Sequence, residues 1–232
     1  MLIGLFLGAL APILICAFYI FIRDKYEKEP LRLLFLGVFF GVIISAPIVH
    51  MAGFIAMFIP ETGQLMDAFL RSFFVASFVE NLFKYAVLFF LVWRNNNFNE
   101  KFDGIVYATF ISLGFAGIEN VLYVFHSELG GMETAILRAI FSVPAHALFG
   151  VFMGYYFALA KFEPHNRTAL LISAFLVPFF IHGMYDFILM SGLTYLMVIF
   201  VLYVTIMWVH GFKRMKKHVE SSPFKNKTNC LY

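Results

Sequence analysis

Charge is scarce in this chain, and the little there is sits in few places. Asp, Glu, Lys and Arg make up 13% of its 232 residues, against roughly 25% in soluble globular domains, so an ordinary water-soluble domain is excluded. Cysteine is down to two, Cys16 inside an apolar run and Cys230 near the C-terminus. They cannot pair plausibly, so there is no disulfide framework. There is no internal repeat, low-complexity segment or second domain. The formal net charge of +3 is too unevenly spread to indicate an acidic partner, and nothing points to nucleic acid. What fills the space is hydrophobicity: 62% of residues are apolar and the mean hydropathy is +0.85.

Apolar runs long enough to span a bilayer, about 17 to 25 residues, fall near 2–22, 31–59, 68–93, 104–126, 135–160, 168–190 and 193–212. The expected fold is therefore all-α, a polytopic membrane bundle of about seven transmembrane helices embedded in a lipid bilayer. The first run has no basic residues before it and no small-residue cleavage site after it, and is read as a permanent span. Positive charge alternates along the chain. Arg23, Lys25, Lys28 and Arg32, then Arg94 and Lys101, then Lys161 and Arg167, then Lys213, Arg214, Lys216, Lys217, Lys225 and Lys227 account for fourteen of the seventeen basic residues. The positive-inside rule then puts the N-terminus outside and the C-terminus in the cytoplasm. Residues 1–212 form one membrane domain and 213–232 a short, mobile basic cytoplasmic tail.

Gly4 and Gly8, Gly37 and Gly41, and Gly150 and Gly154 have the small-xxx-small spacing of close helix contacts. Pro12, Pro47, Pro144 and Pro178 lie inside spans, where each can kink a helix and free a carbonyl.

The informative residues are those lipid tolerates poorly. Glu80, Asn81 and Lys84 interrupt the third span, and each charged residue at such a depth costs on the order of 2.5 to 3.5 kcal/mol to insert. Glu80 and Lys84 stand at i and i+4, acid first, the better order for an ion pair. In the fourth span Gly104, Ala108, Ser112, Ala116 and Asn120 recur every four residues, with Glu119 alongside. The fifth repeats the device with Arg138, Ser142, His146, Gly150 and Gly154. On the sixth, His182 and Asp186 share a face, so that Asp186 can accept a proton from one ring nitrogen and set the tautomer of the other. Counting about 1.5 Å per residue, Glu80 and His146 lie at mid-span, His182 roughly 4 Å and Glu119 and Asn120 roughly 7 Å to the outer side. A lone membrane histidine usually just bonds a neighbouring helix, but four polar stripes converging on one depth describe a site. His50, His126, His165, His210 and His218 fall outside it.

These residues together resemble the PrsW family of intramembrane proteases and, beyond it, the type II CAAX prenyl proteases. The resemblance rests on the KEP segment Lys28 to Pro30, VENLFK, FDGIVYA followed by LGFAGIEN, PAHALFGVFMGYY and IHGMYDFIL, in this order along nearly the whole chain. The family's third-span motif is E-E-x-x-K. Glu80 and Lys84 match it, while Asn81 stands where the second glutamate is expected. A second carboxylate there would hold more charge or help bind a metal, so the departure bears on activity and its pH dependence.

Peptide hydrolysis in a membrane needs a water, a base to activate it and donors for the oxyanion. The expected roles are Glu80 as general base, His146 and His182 orienting the water or protonating the leaving amine, and Asn120 as oxyanion donor. Asp186 orients His182, Lys84 keeps Glu80 charged, Asn81 hydrogen-bonds nearby and Glu119 is a second acid or structural. In a competing version Glu80, His146 and His182 hold a zinc ion with water in the fourth position. No HExxH or other local ligand spacing supports it, and the metal-free version is preferred. The resemblance implies a bacterial multi-pass protein of the cell (plasma) membrane. Its substrate would be a single-span membrane protein, such as an anti-sigma factor, cut near its extracytoplasmic side. A non-catalytic relative that binds membrane helices and a proton-coupled transporter are the alternatives, the latter disfavoured by the lack of inverted repeats.

Overall fold

The computed structural model describes residues 2–126, 128 and 130–225; Cys230, Lys227 and the rest of 226–232 lie outside the described residues. Among these there are helices and no strands. Seven helices are long and apolar enough to cross a membrane: α1 Leu2–Arg23, α2 Leu31–Ala56, α3 Gln64–Val92, α4 Lys101–Val124, α5 Met132–Phe162, α6 Pro164–Met190 and α7 Thr194–Glu220. The count and the approximate bounds agree with the apolar runs. The outer surface is one that water would reject: Phe90 is 85% exposed, and Ile3, Leu14, Phe18, Phe35, Met57 and Val198 also face outward. Their cost disappears in lipid, where the backbone is satisfied within each helix and apolar side chains meet apolar tails.

The bundle is built around α4, which packs on α1, α2 and α5 and is buried from Phe102 to Ala116 without interruption. The periodic small residues explain how a helix can be enclosed on so many sides. A methyl group added at Gly154 of α5 would overlap the Gly104 carbonyl of α4, and one at Gly150 would lie 2.7 Å from Thr109 Cα. The two backbones touch along this seam. With no hydrophobic force between helices in lipid, such close packing and interhelical hydrogen bonds hold them together. Ser112 adds one, its hydroxyl donating to the His146 carbonyl at 2.7 Å.

Three helices depart from regular geometry where proline or the site demands it. In α2 the helix breaks at Ile44, three residues before Pro47, whose missing N–H leaves the Ile43 carbonyl unpaired. In α3 residues Arg71–Ser77 form a wider π-helical stretch ending three residues before Glu80. In α5 Arg138–Ser142 do the same just ahead of Pro144 and His146. Pro144 cannot donate to the Ile140 carbonyl, which loosens the turn; π-helical turns of this kind recur at functional sites.

The seventh helix does not end with its apolar run at 212. It continues to Glu220, and this part is docked: His218 stacks on Tyr155 with centroids 4.2 Å apart, and Arg214 lies over Phe152. Lys, Arg and Glu are good helix formers, so loss of hydropathy marks the edge of the apolar layer and not the end of the helix.

Candidate active site

The second half of α3 brings Glu80, Asn81 and Lys84 to the interior, all buried. Lys84 Nζ donates to Glu80 Oε2 at 2.8 Å, as the i, i+4 spacing requires. It also lies 3.3 Å from His146 Nδ1 and 4.1 Å from the centre of the Phe115 ring. Across the bundle α5 supplies His146 and α6 supplies His182, their rings 5.5 Å apart. Glu80 Oε2 stands between them, 4.0 Å from His146 Nδ1 and 3.9 Å from His182 Nε2. One oxygen and one nitrogen from each histidine thus converge from three helices, with all three ligand atoms within 4.8 Å of one another.

Each histidine meets a further carboxylate, His146 on the nitrogen turned away from Glu80 and His182 on the nitrogen that faces it. His146 Nε2 is 2.8 Å from Glu119 Oε2, which also accepts from Arg138 Nη2 at 2.9 Å. His182 Nε2 is 3.0 Å from Asp186 Oδ2, and the ring stacks on Phe149 at 4.4 Å. Asn81 Nδ2 donates to the Ser77 carbonyl at 2.8 Å and points at His182 Nδ1 at 3.2 Å. With Nδ1 accepting, the proton of His182 sits on Nε2, facing Asp186. The Asn81 carbonyl oxygen is buried without a partner.

Of the eight residues expected at the site, seven lie directly in this network. Asn120 reaches it only through Arg138. Its amide donates to the Ala9 carbonyl of α1 at 2.7 Å, and its oxygen accepts from Arg138 Nε at 2.8 Å, so neither end is turned to a substrate oxyanion. Arg138 takes the adjacent position instead, held by Asn120 and Glu119 and lying over Tyr123 at 4.1 Å. Its place on the Arg138–Ser142–His146 stripe was readable; its approach to Glu119 was not, because that depends on how α4 and α5 pack. An apolar cavity of about 470 Å³ between α1, α5 and α7, lined by residues such as Pro12, Pro144 and Trp208, contains none of these polar groups.

The charges do not balance. Glu80, Glu119 and Asp186 face Lys84 and Arg138, leaving one negative charge inside an apolar bundle, to be met by a protonated histidine or a bound cation. The Lys84 ammonium lies between Glu80 and His146 and would have to move aside for an ion held by both. A Glu-His-His donor set is one that zinc uses in three-ligand catalytic sites, and Glu119 behind His146 is the carboxylate that such ligands usually have. The residues fit such an ion.

Residues 29–210 match the family described as PrsW family intramembrane metalloprotease. The chain belongs to the PrsW family. It is 40% identical to Protease PrsW of Geobacillus kaustophilus over 75% of this chain and 74% of that protein. It is 36% identical to that of Clostridioides difficile over 95% and 93%, and 34% identical to that of Bacillus subtilis over 90% and 93%. No solved structure matches it. The chain is thus an intramembrane peptidase and a multi-pass bacterial membrane protein, and its segments VENLFK, GIEN, PAHALFG and HGMYD supply most of the network just described.

Proposed function

We propose that Glu80, His146 and His182 form the hydrolytic centre of an endopeptidase that cuts a single-span protein of the plasma membrane near its extracytoplasmic side, such as an anti-sigma factor. The observation that carries this is the position of Glu80 Oε2, shared by two histidines that are each oriented by a further carboxylate. Glu80 accepts the proton of the attacking water. His182 carries its proton on Nε2, the nitrogen that faces both Asp186 and Glu80, and turns it from Asp186 to the oxyanion or the leaving amine. Glu119 fixes the His146 ring, and Phe115 and Phe149 keep bulk water from the charged groups. Arg138 supplies the positive charge beside Glu119.

A second reading has its own observation: the convergence of Glu80, His146 and His182, together with the family's description as metalloproteases. These three residues would hold the ion, which when bound supplies a water of lowered pKa and polarises the scissile carbonyl. Local spacing disfavours this form only because its ligands come from three different helices.

The test is cleavage of a panel of tagged single-span substrates by the purified chain in bilayers, beside Glu80→Ala and Asn81→Glu. Cleavage by wild type and not by Glu80→Ala supports the centre. Unchanged cleavage by Glu80→Ala removes it. Loss of activity with a zinc-selective chelator, restored by zinc, selects the metal form; indifference to the chelator selects the metal-free one.

A further inference from the structure

A second cluster of carboxylates lies at the opposite end of α4 from Glu119, where the chain leaves α1 and enters α4. Asp24 follows the last residue of α1, Glu100 caps α4 and Asp103 is on its first turn. They are 0%, 3% and 0% exposed, and one oxygen from each lies within 4.8 Å of the others. Glu29, also buried, stands beside Asp24 and Asp103 and accepts from the Tyr107 hydroxyl.

Capping accounts for part of this arrangement. Asp103 Oδ2 receives the Asn99 and Glu100 amides at 2.9 and 2.8 Å, and Asp24 Oδ2 receives the Glu29 amide at 3.1 Å. Negative charge at a helix N-terminus is favourable. Capping leaves the other oxygens unexplained: Asp24 Oδ1, Glu100 Oε2 and Asp103 Oδ1 are buried and receive no hydrogen bond from an N–H or O–H donor, the Asp103 side chain having only the Glu29 carboxyl beside it. Among the described residues no Lys, Arg or His makes an ion pair with any of the three. The nearest ammonium groups are engaged elsewhere, Lys28 with the Phe21 carbonyl and Lys161 with the Trp93 and Asn95 carbonyls. Buried carboxylates are ordinarily paired or bound to a metal. Here each acid has a buried oxygen left over, and the three carboxylates come together, one oxygen of each within 4.8 Å of the others.

We infer that Asp24, Glu100 and Asp103 form a binding site for a hard divalent cation, separate from the intramembrane centre, that fastens the end of α1 to the start of α4. An all-oxygen, all-carboxylate donor set suits calcium, magnesium or manganese and not zinc. Oxygens opposite one another are about 4.2 Å apart around magnesium and about 4.8 Å around calcium, from metal–oxygen lengths of about 2.1 and 2.4 Å. Three oxygens that all lie within 4.8 Å of one another are within reach of a single ion of either kind. The same two helices are joined at their other ends by the bond from Asn120 to Ala9, so the ion sets the alignment of α1 on the helix that carries Glu119.

The experiment uses the full chain in lipid nanodiscs, stripped with chelator. Calcium and magnesium are titrated separately by calorimetry, and thermal unfolding is followed at each concentration. His146→Ala, Asp24→Asn and Glu100→Gln variants are run alongside. The expected result is saturable binding of one ion per chain and a melting temperature that rises with it. His146→Ala retains this, and Asp24→Asn and Glu100→Gln weaken it at least tenfold. Because each neutral variant removes repulsion, it should melt no lower than wild type without the ion, which separates lost binding from lost folding. Which ion binds more tightly identifies the natural ligand. No saturable binding of either ion up to about 10 mM, or equal binding by wild type and both neutral variants, would overturn the inference and leave shared protons as the means by which the cluster is neutralised.

Discussion

Replacing Glu119 by Gln tests the arrangement behind His146 most directly. The substitution keeps the shape and one acceptor oxygen but removes the charge that His146 Nε2 and Arg138 Nη2 share at 2.8 and 2.9 Å. Two effects follow, and they can be told apart. Loss of the carboxylate behind a catalytic or metal-binding histidine typically costs 10- to 100-fold, or about 1.4 to 2.7 kcal/mol of barrier. Separately, Arg138 loses its anion. The pair has side chains 12% and 21% exposed, between the fully buried case of about 3 to 5 kcal/mol and the surface case of under about 1 kcal/mol, so a stability loss of about 2 kcal/mol is expected. The assay is the cleavage rate per folded enzyme at saturating substrate, with unfolding measured in parallel. Adding Arg138→Gln should recover the stability, since no unpaired charge remains, and leave the rate low. A Glu119→Gln enzyme within about twofold of wild type would refute the role of Glu119 in orienting His146. So would recovery of the rate in the double variant, because Glu119 would then only neutralise Arg138.

Gly154→Ala pushes a methyl into the Gly104 carbonyl, while Gly53→Ala meets nothing within 4 Å; the first should lose about 1 to 3 kcal/mol and the second almost none, and equal melting curves would contradict the α4–α5 seam. Asn81→Glu replaces a donor to His182 Nδ1 with an acceptor while Asp186 still accepts at Nε2, so the ring should carry a proton on each nitrogen; a nitrogen NMR spectrum of the variant that still shows one bare His182 nitrogen would count against the tautomer assigned to the ring. Outside the membrane, burial, aided by repulsion from Glu29, pushes Asp24 up to about 7, and burial also raises Glu29 against the hydrogen bond from Tyr107. Acids with raised folded-state values bind protons more tightly when folded, so with divalent ions withheld stability should fall as pH rises from about 4 to about 7. A melting temperature rising over that interval would reverse the sign.

How much of the site could be read in advance depended on whether the relevant contact was local. Glu80 with Lys84 and His182 with Asp186 are i, i+4 pairs, and both are present as spacing requires. The contact of Glu119 with His146 spans two helices whose residues were reckoned roughly 7 Å apart in depth at about 1.5 Å per residue. Counting residues omits the π-helical stretch before His146 and the reach of a glutamate side chain, and these close the gap. Asn120 shows the reverse case. It lies on the right stripe at the right depth, yet α1 and Arg138 occupy both ends of its amide. No periodicity in α4 could reveal that.

By itself the sequence determined the class of the protein: seven apolar runs with scarce charge permit only a membrane bundle, since bilayer thickness and backbone satisfaction leave no other structure. It also determined which residues were too costly in lipid to be there without a purpose. The tertiary structure alone decided how those residues are partnered, because the order of helices around α4 follows from where glycines let two backbones touch. It turned Glu80, His146 and His182 toward one point and bonded the two ends of the Asn120 amide to Ala9 and Arg138. It also gathered Asp24 with Glu100 and Asp103, unremarkable in two separate stretches of sequence, into a single buried cluster. Contact between helices is a property of surfaces in three dimensions, and spacing along one chain reports only the face each helix offers.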